Sequence, residues 1–371
     1  MAREIWQVVW WSRVGLFLAA WVDLALLPWG HVAPAFNPVA NPLVLPWIRW
    51  DALWYTSIAA RGYFSPAAWA FFPLYPGLIA GLHALLPVSL YTAALLISNA
   101  ALVLAAGLLY RLARTAAGPE AARRAVWMLL LFPTAFYLSA AYTESLFLAL
   151  TLAAFLAAER GRLGWAAWWT ALASVTRSEG ILAAVAVLGA YWRRHRWHWH
   201  REAWGLLWLP AGLAAFLGAQ WVTAGTPWAF IQAQANWGRQ LAAPWAGPVL
   251  ALRQVVVTGS PLQPAAVLSM IDLGSALAAA GLWIYGVRRR LPGEWLVYWA
   301  ALVLVDLSAP VAGGESPLLS MSRLVLVAFP MFVVLGMLAA ERDRVQRLLV
   351  WTLPFLQATF LAIFATWHWI A

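Results

Sequence analysis

One carboxylate, Asp51, stands in the stretch Trp47 to Pro76 (WIRWDALWYTSIAARGYFSPAAWAFFPLYP) among two arginines, Arg49 and Arg61, and a crowd of aromatics. An acid close to lipid is costly to keep. One set between Trp50 and Trp54 therefore asks for a chemical reason, and the work a carboxylate does in such a place is to take a proton as a general base. Its competing roles are structural: an interfacial ion pair with Arg49 or Arg61, or an N-cap for the helix that follows.

The other charged residues can be sorted one by one, because there are only 14 acids, set against 24 basic residues that are all arginine. Glu4, Glu120, Glu159, Glu202, Glu294, Glu341 and Asp343 lie beside arginines between apolar runs, where solvated ion pairing is the plain reading. Asp51, Glu144, Glu179 and Glu315 fall in the alternate loops, with Asp23, Asp272 and Asp306 toward the same ends of helices. Arg49, Arg61, Arg177, Arg239, Arg253 and Arg323 share that side and need those acids, or an anionic substrate, as partners. Bland roles compete here too. Glu144 can cap the next helix or pair with Arg177, Arg177 can bridge to Glu179, Arg323 can snorkel to the interface, and the loop carrying Arg239 can be a simple lid.

The elements that position these residues follow from composition. Hydrophobic residues make up 64% of the 371, charged ones 10%, and the mean hydropathy is +0.74. That leaves too little polar surface to cover a soluble globule, and apolar runs of about 20 residues recur along the chain. The expectation is one all-α, polytopic membrane domain over residues 1–371, without a separate soluble module. Many of the 28 Trp lie at segment ends, where indole suits the headgroup region. The absence of Cys excludes disulfides, thiolate metal sites and cysteine nucleophiles. Arginine without lysine suggests a GC-rich prokaryotic source. The net charge of +10 is explained by basic cytoplasmic loops and does not indicate nucleic acid.

The first span runs from about Ile5 to Leu27, too long for the apolar core of a signal peptide. A Pro- and Asn-rich loop, 28–70, follows, with a short amphipathic helix at Trp50–Arg61 lying in the interface. Further apolar segments fall at about 71–87, 90–112, 124–141, 145–158, 164–176, 180–192, 203–223, 264–287, 294–310, 323–340 and 348–367. The arginine clusters 111/114/123/124, 160/162, 193/194/196/201, 288–290 and 342/344/347 mark the cytoplasmic loops. This puts 28–70, Tyr142–Glu144, Arg177–Glu179, the second large loop 224–262 and Pro310–Arg323 outside, with the N-terminus inside. Parity then requires 71–87 to be short or re-entrant, giving about eleven crossings among eleven to twelve membrane helices. The segments 145–158, 164–176 and 180–192 are short for a crossing and read as half-helices around a cavity.

The run Trp192–Arg201 holds His195, His198 and His200. No metal site is expected there: His198 and His200 do not share a helical face, no carboxylate completes a set, and interleaved Arg and Trp suit an anchor on anionic lipid.

Four motifs together resemble one family. Trp50-Asp51, Arg61-Gly62-Tyr63 and Ala70-Phe-Phe-Pro-Leu-Tyr-Pro76 are similar to its first outer loop. Tyr142-Thr-Glu-Ser-Leu-Phe147 resembles its YTESLF element, Thr176-Arg-Ser-Glu-Gly180 its TR-x-x-G turn, and Ser322-Arg323 ahead of Phe329-Pro330 a late S-x-R…FP element, with Leu324 where the family has Tyr. The family is the PIG-V type of glycosylphosphatidylinositol mannosyltransferases and their prokaryotic relatives, within the polytopic GT-C glycosyltransferases. The resemblance implies a GT-C helical bundle and inverting transfer of a sugar, typically mannose, from a polyprenyl phosphate to a hydroxyl on a lipid-linked or other extracytoplasmic acceptor. It also implies an outer-face acid as catalytic residue, which Asp51 matches.

That chemistry needs a base at the attacking hydroxyl and cationic groups around the leaving phosphate. Asp51 supplies the first; Arg323, Arg177 and Arg239 are the candidates for the second, since the guanidinium fork holds two oxygens and stays charged. Trp50, Trp54, Tyr55 and Tyr75 are placed to stack on a sugar, with Glu144 and Glu179 as further substrate contacts, while the prenyl tail needs only a lipid-facing groove. No cofactor is assigned. A Mg²⁺ or Mn²⁺ ion near Asp51 is left open, with Glu144, Glu179 or Asp306 as its second oxygen donor. Rival readings are the same chemistry with another sugar, a lipid-linked-sugar flippase or transporter whose charges would line a path through the bilayer, and a scaffold subunit.

Overall fold

The computed structural model describes residues 2–30, 41–196, 198–258, 260–311 and 316–370; Glu315 lies outside them. With so few charges and so many long apolar runs, the chain satisfies its backbone within helices. They are α1 (Ala2–Leu26), α2 (Asp51–Arg61), α3 (Leu74–Leu85), α4 (Leu90–Leu131), α5 (Glu144–Glu159), α6 (Leu163–Ser174), α7 (Ala184–His195) and α8 (Trp208–Ala224), followed by α9 (Ala229–Ala233), α10 (Ala246–Val257), α11 (Pro264–Arg288), α12 (Gly293–Leu307), α13 (Met321–Leu324), α14 (Phe329–Glu341) and α15 (Asp343–Ala365). Among the described residues there is no strand, only an isolated antiparallel bridge between Arg239 and Val311.

The centre is α4, on which α5 and α14 pack. Ala-rich faces allow the close approach: Ala101, Ala105, Ala113, Ala122 and Ala125 of α4 are buried, and Gly336 of α14 meets α4 at Ala121 and Ala125 without room for a Cβ. Around this core lie α1 and α15 on one side and α6, α7, α8, α11 and α12 on the other.

Five helices among the described residues are long and apolar enough to cross a bilayer, six if a pair bent by 83° counts as one span, fewer than the eleven to twelve membrane helices expected. Two physical causes account for the difference. The expected segments 90–112 and 124–141 are two helices that meet at a kink at Gly118 (φ 82°), just before Pro119, within the range of α4, and count here as one span. Others are short: α5 has 16 residues, α6 and α7 12 each and α12 15. Buried in protein as α5 is, a helix need not match the membrane thickness. The 12 residues of α3 extend about 18 Å, in keeping with a short helix at 71–87.

Two breaks gather polar residues. The bent pair runs from Met321 to Val327 and from Phe329 to Glu341. Its turn is made where Pro330 stands in the first turn of α14, a position that tolerates proline. A second break, residues 132–143, is secured by Arg13 of α1. That buried guanidinium donates to the carbonyls of Leu130 (2.9 Å) and Ala135 (3.0 Å) and to Ser139 Oγ (3.3 Å). It satisfies a carbonyl that the end of α4 leaves without a helical partner.

Candidate functional site

Asp51 is the first residue of α2, where the helix dipole favours a carboxylate. Trp50 is the cap residue and makes no side-chain cap bond; its backbone, at φ 48° and ψ −111°, lies in a region natural to glycine. Neighbours hold it there: the Trp50 ring meets Trp367 and Trp369 edge-on, at 5.5 and 5.2 Å between centroids. Strained backbone kept in place by packing thus determines where Asp51 points.

Neither sequence neighbour pairs with Asp51. Arg49 is fully buried, donating to the carbonyls of Ala365, Leu45 and Ile48 and lying 4.6 Å from the Trp367 ring. Arg61 is exposed and covers Phe64 at 4.3 Å. The partner of Asp51 is Arg323, 272 positions away, whose Nη1 donates to Asp51 Oδ2 at 2.8 Å.

From this pair a chain of alternating charge runs inward. Arg323 Nε donates to Glu144 Oε1 at 2.6 Å, and Arg177 Nη1 donates to the same oxygen at 3.2 Å. Arg177 Nη2 then donates to Glu179 Oε1 at 3.2 Å, and Ser178 Oγ donates to Glu179 Oε2 at 2.9 Å. The Arg323 guanidinium lies over the rings of Tyr142 and Tyr137, at 4.5 and 5.0 Å. Tyr142 is itself fixed through its hydroxyl, which donates to Arg49 O at 3.0 Å.

Exposure divides the members. The Glu144 side chain is 0% exposed and that of Arg323 8%, whereas Arg177 and Glu179 keep 14% each and Asp51 22%. A ligand arriving from outside meets Asp51 at one end and Arg177 with Glu179 at the other. Glu144 and Arg323 stand behind them. Burial alone would lower the Arg177 pKa, but Glu179 and Glu144 hold its guanidinium above its ordinary value. Glu179, which burial alone would raise, is held below the ordinary carboxylate range by Arg177 and by hydrogen bonds from its own backbone and Ser178.

Arg239 completes the group on different terms. Its backbone forms the bridge to Val311, and among the described residues it makes no ion pair. Burial draws its guanidinium below the ordinary arginine range, and the charge on Asp306, with that on Glu179, offsets only part of this. Of the three expected phosphate ligands, Arg323 and Arg177 are engaged by carboxylates, Arg177 keeping a partly exposed edge, while Arg239 makes no ion pair among the described residues.

The aromatics mostly build walls. Trp54 is stacked on Phe64 and on Phe71, at 5.7 and 5.4 Å, with Trp237 edge-on at 5.7 Å. Tyr75 is fully buried and its hydroxyl lies 2.7 Å from Ser98 Oγ and 3.0 Å from Ala94 O. Tyr55, also buried, reaches Thr143 Oγ1 at 3.4 Å and meets Phe71 and Tyr75 edge-on. These contacts correct the expectation of sugar stacking for Trp54, Tyr55 and Tyr75: their rings pack against protein. Trp50, half-buried, is the one of the four next to Asp51.

Glycine is required at one point behind the site. A methyl at Gly180 would overlap the backbone of Ala173 and Ser174, where the Arg177–Glu179 turn crosses the end of α6. The clash is with main chain, which cannot swing aside. Gly180→Ala is expected to cost about 1–3 kcal/mol of stability, read as a lower thermal midpoint in detergent.

The residues around Asp51 do not fit a divalent ion as arranged. The Arg323 guanidinium lies between Asp51 Oδ2 and Glu144 Oε1, the position in which a cation bridging the two would sit. Elsewhere, the carboxylate not expected beside the histidines is present: Glu202 Oε2 lies 3.2 Å from His195 Nε2, and His195, His200 and Glu202 offer donor atoms within 4.8 Å of one another. The two imidazoles stack at 12° between planes, so their in-plane lone pairs run nearly parallel instead of meeting at one ion, and Arg194 stands 3.6 Å from the same carboxylate oxygen.

Comparison with known proteins gives this site a context. Residues 25–195, which carry Asp51, Glu144, Arg177 and Glu179, match the family model described as Mannosyltransferase (PIG-V). GPI alpha-1,6-mannosyltransferase 2 of Cricetulus griseus is 36% identical over 155 residues, 39% of this chain and 31% of that protein. Its counterpart in Rattus norvegicus is 35% identical over 175 residues, covering 41% of this chain and 35% of that one. The match therefore spans about a third of the length of these relatives. Among solved structures, ArnT from Cupriavidus metallidurans aligns in its apo state with a TM-score of 0.53, over 92% of this chain and 60% of that one, at 14% identity. The same protein bound to undecaprenyl phosphate aligns with a TM-score of 0.51, over 96% of this chain and 76% of that one. At such identity the likeness speaks for fold alone. By sequence over residues 25–195 the chain is similar to the PIG-V mannosyltransferases, and along nearly its whole length it shares the fold of ArnT, with five described helices long and apolar enough to cross a membrane.

Proposed function

We propose that the chain is an inverting glycosyltransferase that moves a sugar, mannose by its relationship, from a polyprenyl phosphate to a hydroxyl of a lipid-linked or other extracytoplasmic acceptor. The observation that carries this reading is the buried Asp51–Arg323–Glu144–Arg177–Glu179 chain, open to a ligand at Asp51 and at the Arg177–Glu179 end, with Arg239 beside it. In the reaction the acceptor oxygen bonds to the anomeric carbon from the face opposite the phosphate, the carbon–phosphate oxygen bond breaks, and the acceptor proton passes to Asp51. Asp51 takes the proton late, as the acceptor oxygen gains positive character.

Arg239 and the outward edge of Arg177 bind the donor phosphate and receive the charge that develops on it as the sugar departs. Arg323 and Glu144 hold Asp51 and Arg177 in place and do not touch the sugar. The extracytoplasmic placing follows from the arginine clusters, which assign the loops at the opposite ends of the helices to the cytoplasm.

The test uses the purified chain in detergent with polyprenyl phosphate mannose and a panel of lipid acceptors, comparing wild type with Asp51→Asn. Equal transfer by the two proteins would end the proposal. In the same assay Arg239→Ala is expected to raise the donor KM about 10–100-fold, the equivalent of one charge-assisted hydrogen bond of about 1.5–3 kcal/mol. An unchanged donor KM would remove Arg239 from the phosphate site.

A further inference from the structure

Asp272 is an acid in α11, one of the five helices that qualify as spans, and it is buried. No arginine neutralises it among the described residues. Its Oδ2 accepts from Ser316 Oγ at 2.8 Å and its Oδ1 from the backbone N–H of Ser322 at 3.0 Å. Ser316 lies in the segment that leads into α13 and Ser322 is the second residue of α13, immediately before Arg323.

That segment needs holding. Ser320 sits at φ 67°, a left-handed conformation that a residue with a Cβ adopts at a cost. Beyond it, the peptide groups of Ser322 are gripped by two other elements: Asp272 of α11 takes the N–H, and Thr134 Oγ1, in the break after α4, donates to the Ser322 carbonyl at 2.8 Å. With both groups fixed, the Cα–Cβ direction of Arg323 is fixed as well. From there its Nε reaches Glu144 and its Nη1 reaches Asp51.

We infer that Asp272 is a positioning residue for Arg323: by clamping the Ser316–Ser322 turn it sets the guanidinium that orients Asp51. A carboxylate suits the task because an ionised acceptor binds a backbone N–H more strongly than a neutral one. Keeping an acid inside a span is costly, and here every hydrogen bond described for its oxygens goes to the turn that carries Arg323. As a statement about catalysis the inference rests on the proposed transfer reaction; as a statement about the turn it does not.

Two measurements on the full chain test it. In the first, amide hydrogen exchange is followed over residues 316–324. Asp272→Ala is expected to speed exchange there by about tenfold or more while the rest of the protein is unchanged, and Asp272→Asn, which retains an acceptor oxygen, stays close to wild type. In the second, single-turnover transfer is measured for Asp272→Ala, Arg323→Ala and the double variant. Asp272→Ala is expected to slow the chemical step by about 100-fold with little change in donor KM, as a displaced catalytic constellation does. That loss should vanish in the Arg323→Ala background, and Asp272→Asn should recover most of the rate.

Wild-type exchange over 316–324 in Asp272→Ala would overturn the inference, and so would a full, independent loss of rate in the Arg323→Ala background. Faster exchange together with absence of transfer in every protein, wild type included, would overturn the proposed reaction and leave the clamp standing.

Discussion

Asp51→Asn is expected to lower turnover by about 10²–10⁴-fold while the protein still folds and purifies as wild type, the range by which removal of a general base slows a proton transfer. The substitution is nearly isosteric. Asparagine still offers Arg323 an acceptor oxygen where Asp51 Oδ2 stands at 2.8 Å, so Arg323 and Glu144 remain in place. What is lost is the capacity to accept the acceptor's proton. The donor KM should therefore move little, because the phosphate is held by other residues. A matching loss in kcat and in kcat/KM is the pattern of an interaction made only in the transition state. A loss confined to KM would assign Asp51 to binding.

The second large effect concerns the hub. Glu144 has no exposed surface, and its Oε1 alone accepts from both Arg177 and Arg323. Glu144→Ala would leave the guanidiniums of Arg177 and Arg323 facing each other without the carboxylate between them, Arg323 held by Asp51 alone and Arg177 by Glu179 alone. Removal of one partner from a buried ion pair costs about 3–5 kcal/mol, so the thermal midpoint in detergent should fall by several degrees and transfer should be lost with it. Glu144→Gln keeps one acceptor oxygen and should fall between wild type and Ala in stability. The two variants separate shape from charge: equal midpoints for Glu144→Gln and wild type would show that the negative charge of Glu144 does not stabilise the network.

Much of this site was legible in the sequence, for reasons that can be named. Sorting acids and arginines by loop works because a membrane penalises charge everywhere except at its faces or in partnered sites, so residues that resist a structural account collect where chemistry is done. Asp51, Glu144, Arg177, Glu179 and Arg323 were found this way, and they do meet in space. The pairing was not legible. Nearness in sequence offered Arg49 and Arg61 to Asp51, but the chain just before α2 sends Arg49 to a carbonyl of Ala365 at the end of α15, while Arg323 arrives on the short leg of a bent helix.

Arg13 and Asp272 carry no local signature either, since each serves a turn more than 40 positions away. Among the aromatics, the pattern around Asp51 says that rings are present without saying which faces are free. The structure gives the faces of Trp54 to Phe64 and Phe71. Hydropathy likewise locates apolar runs without saying what covers them: α5, buried in protein, is as apolar as a span at only 16 residues, as its short segment led one to expect.

The separation of 272 positions between the partners of the Asp51–Arg323 pair also has a meaning for biogenesis. A polypeptide made at about 5–20 residues per second delivers Arg323 to the membrane on the order of tens of seconds after Asp51 has left the ribosome. Through that interval Asp51 and Glu144 are without Arg323, and every insertion intermediate lacks the complete charge network. The network closes in one late step, when the bent helix bearing Arg323 enters and its side chain reaches the acids already in place.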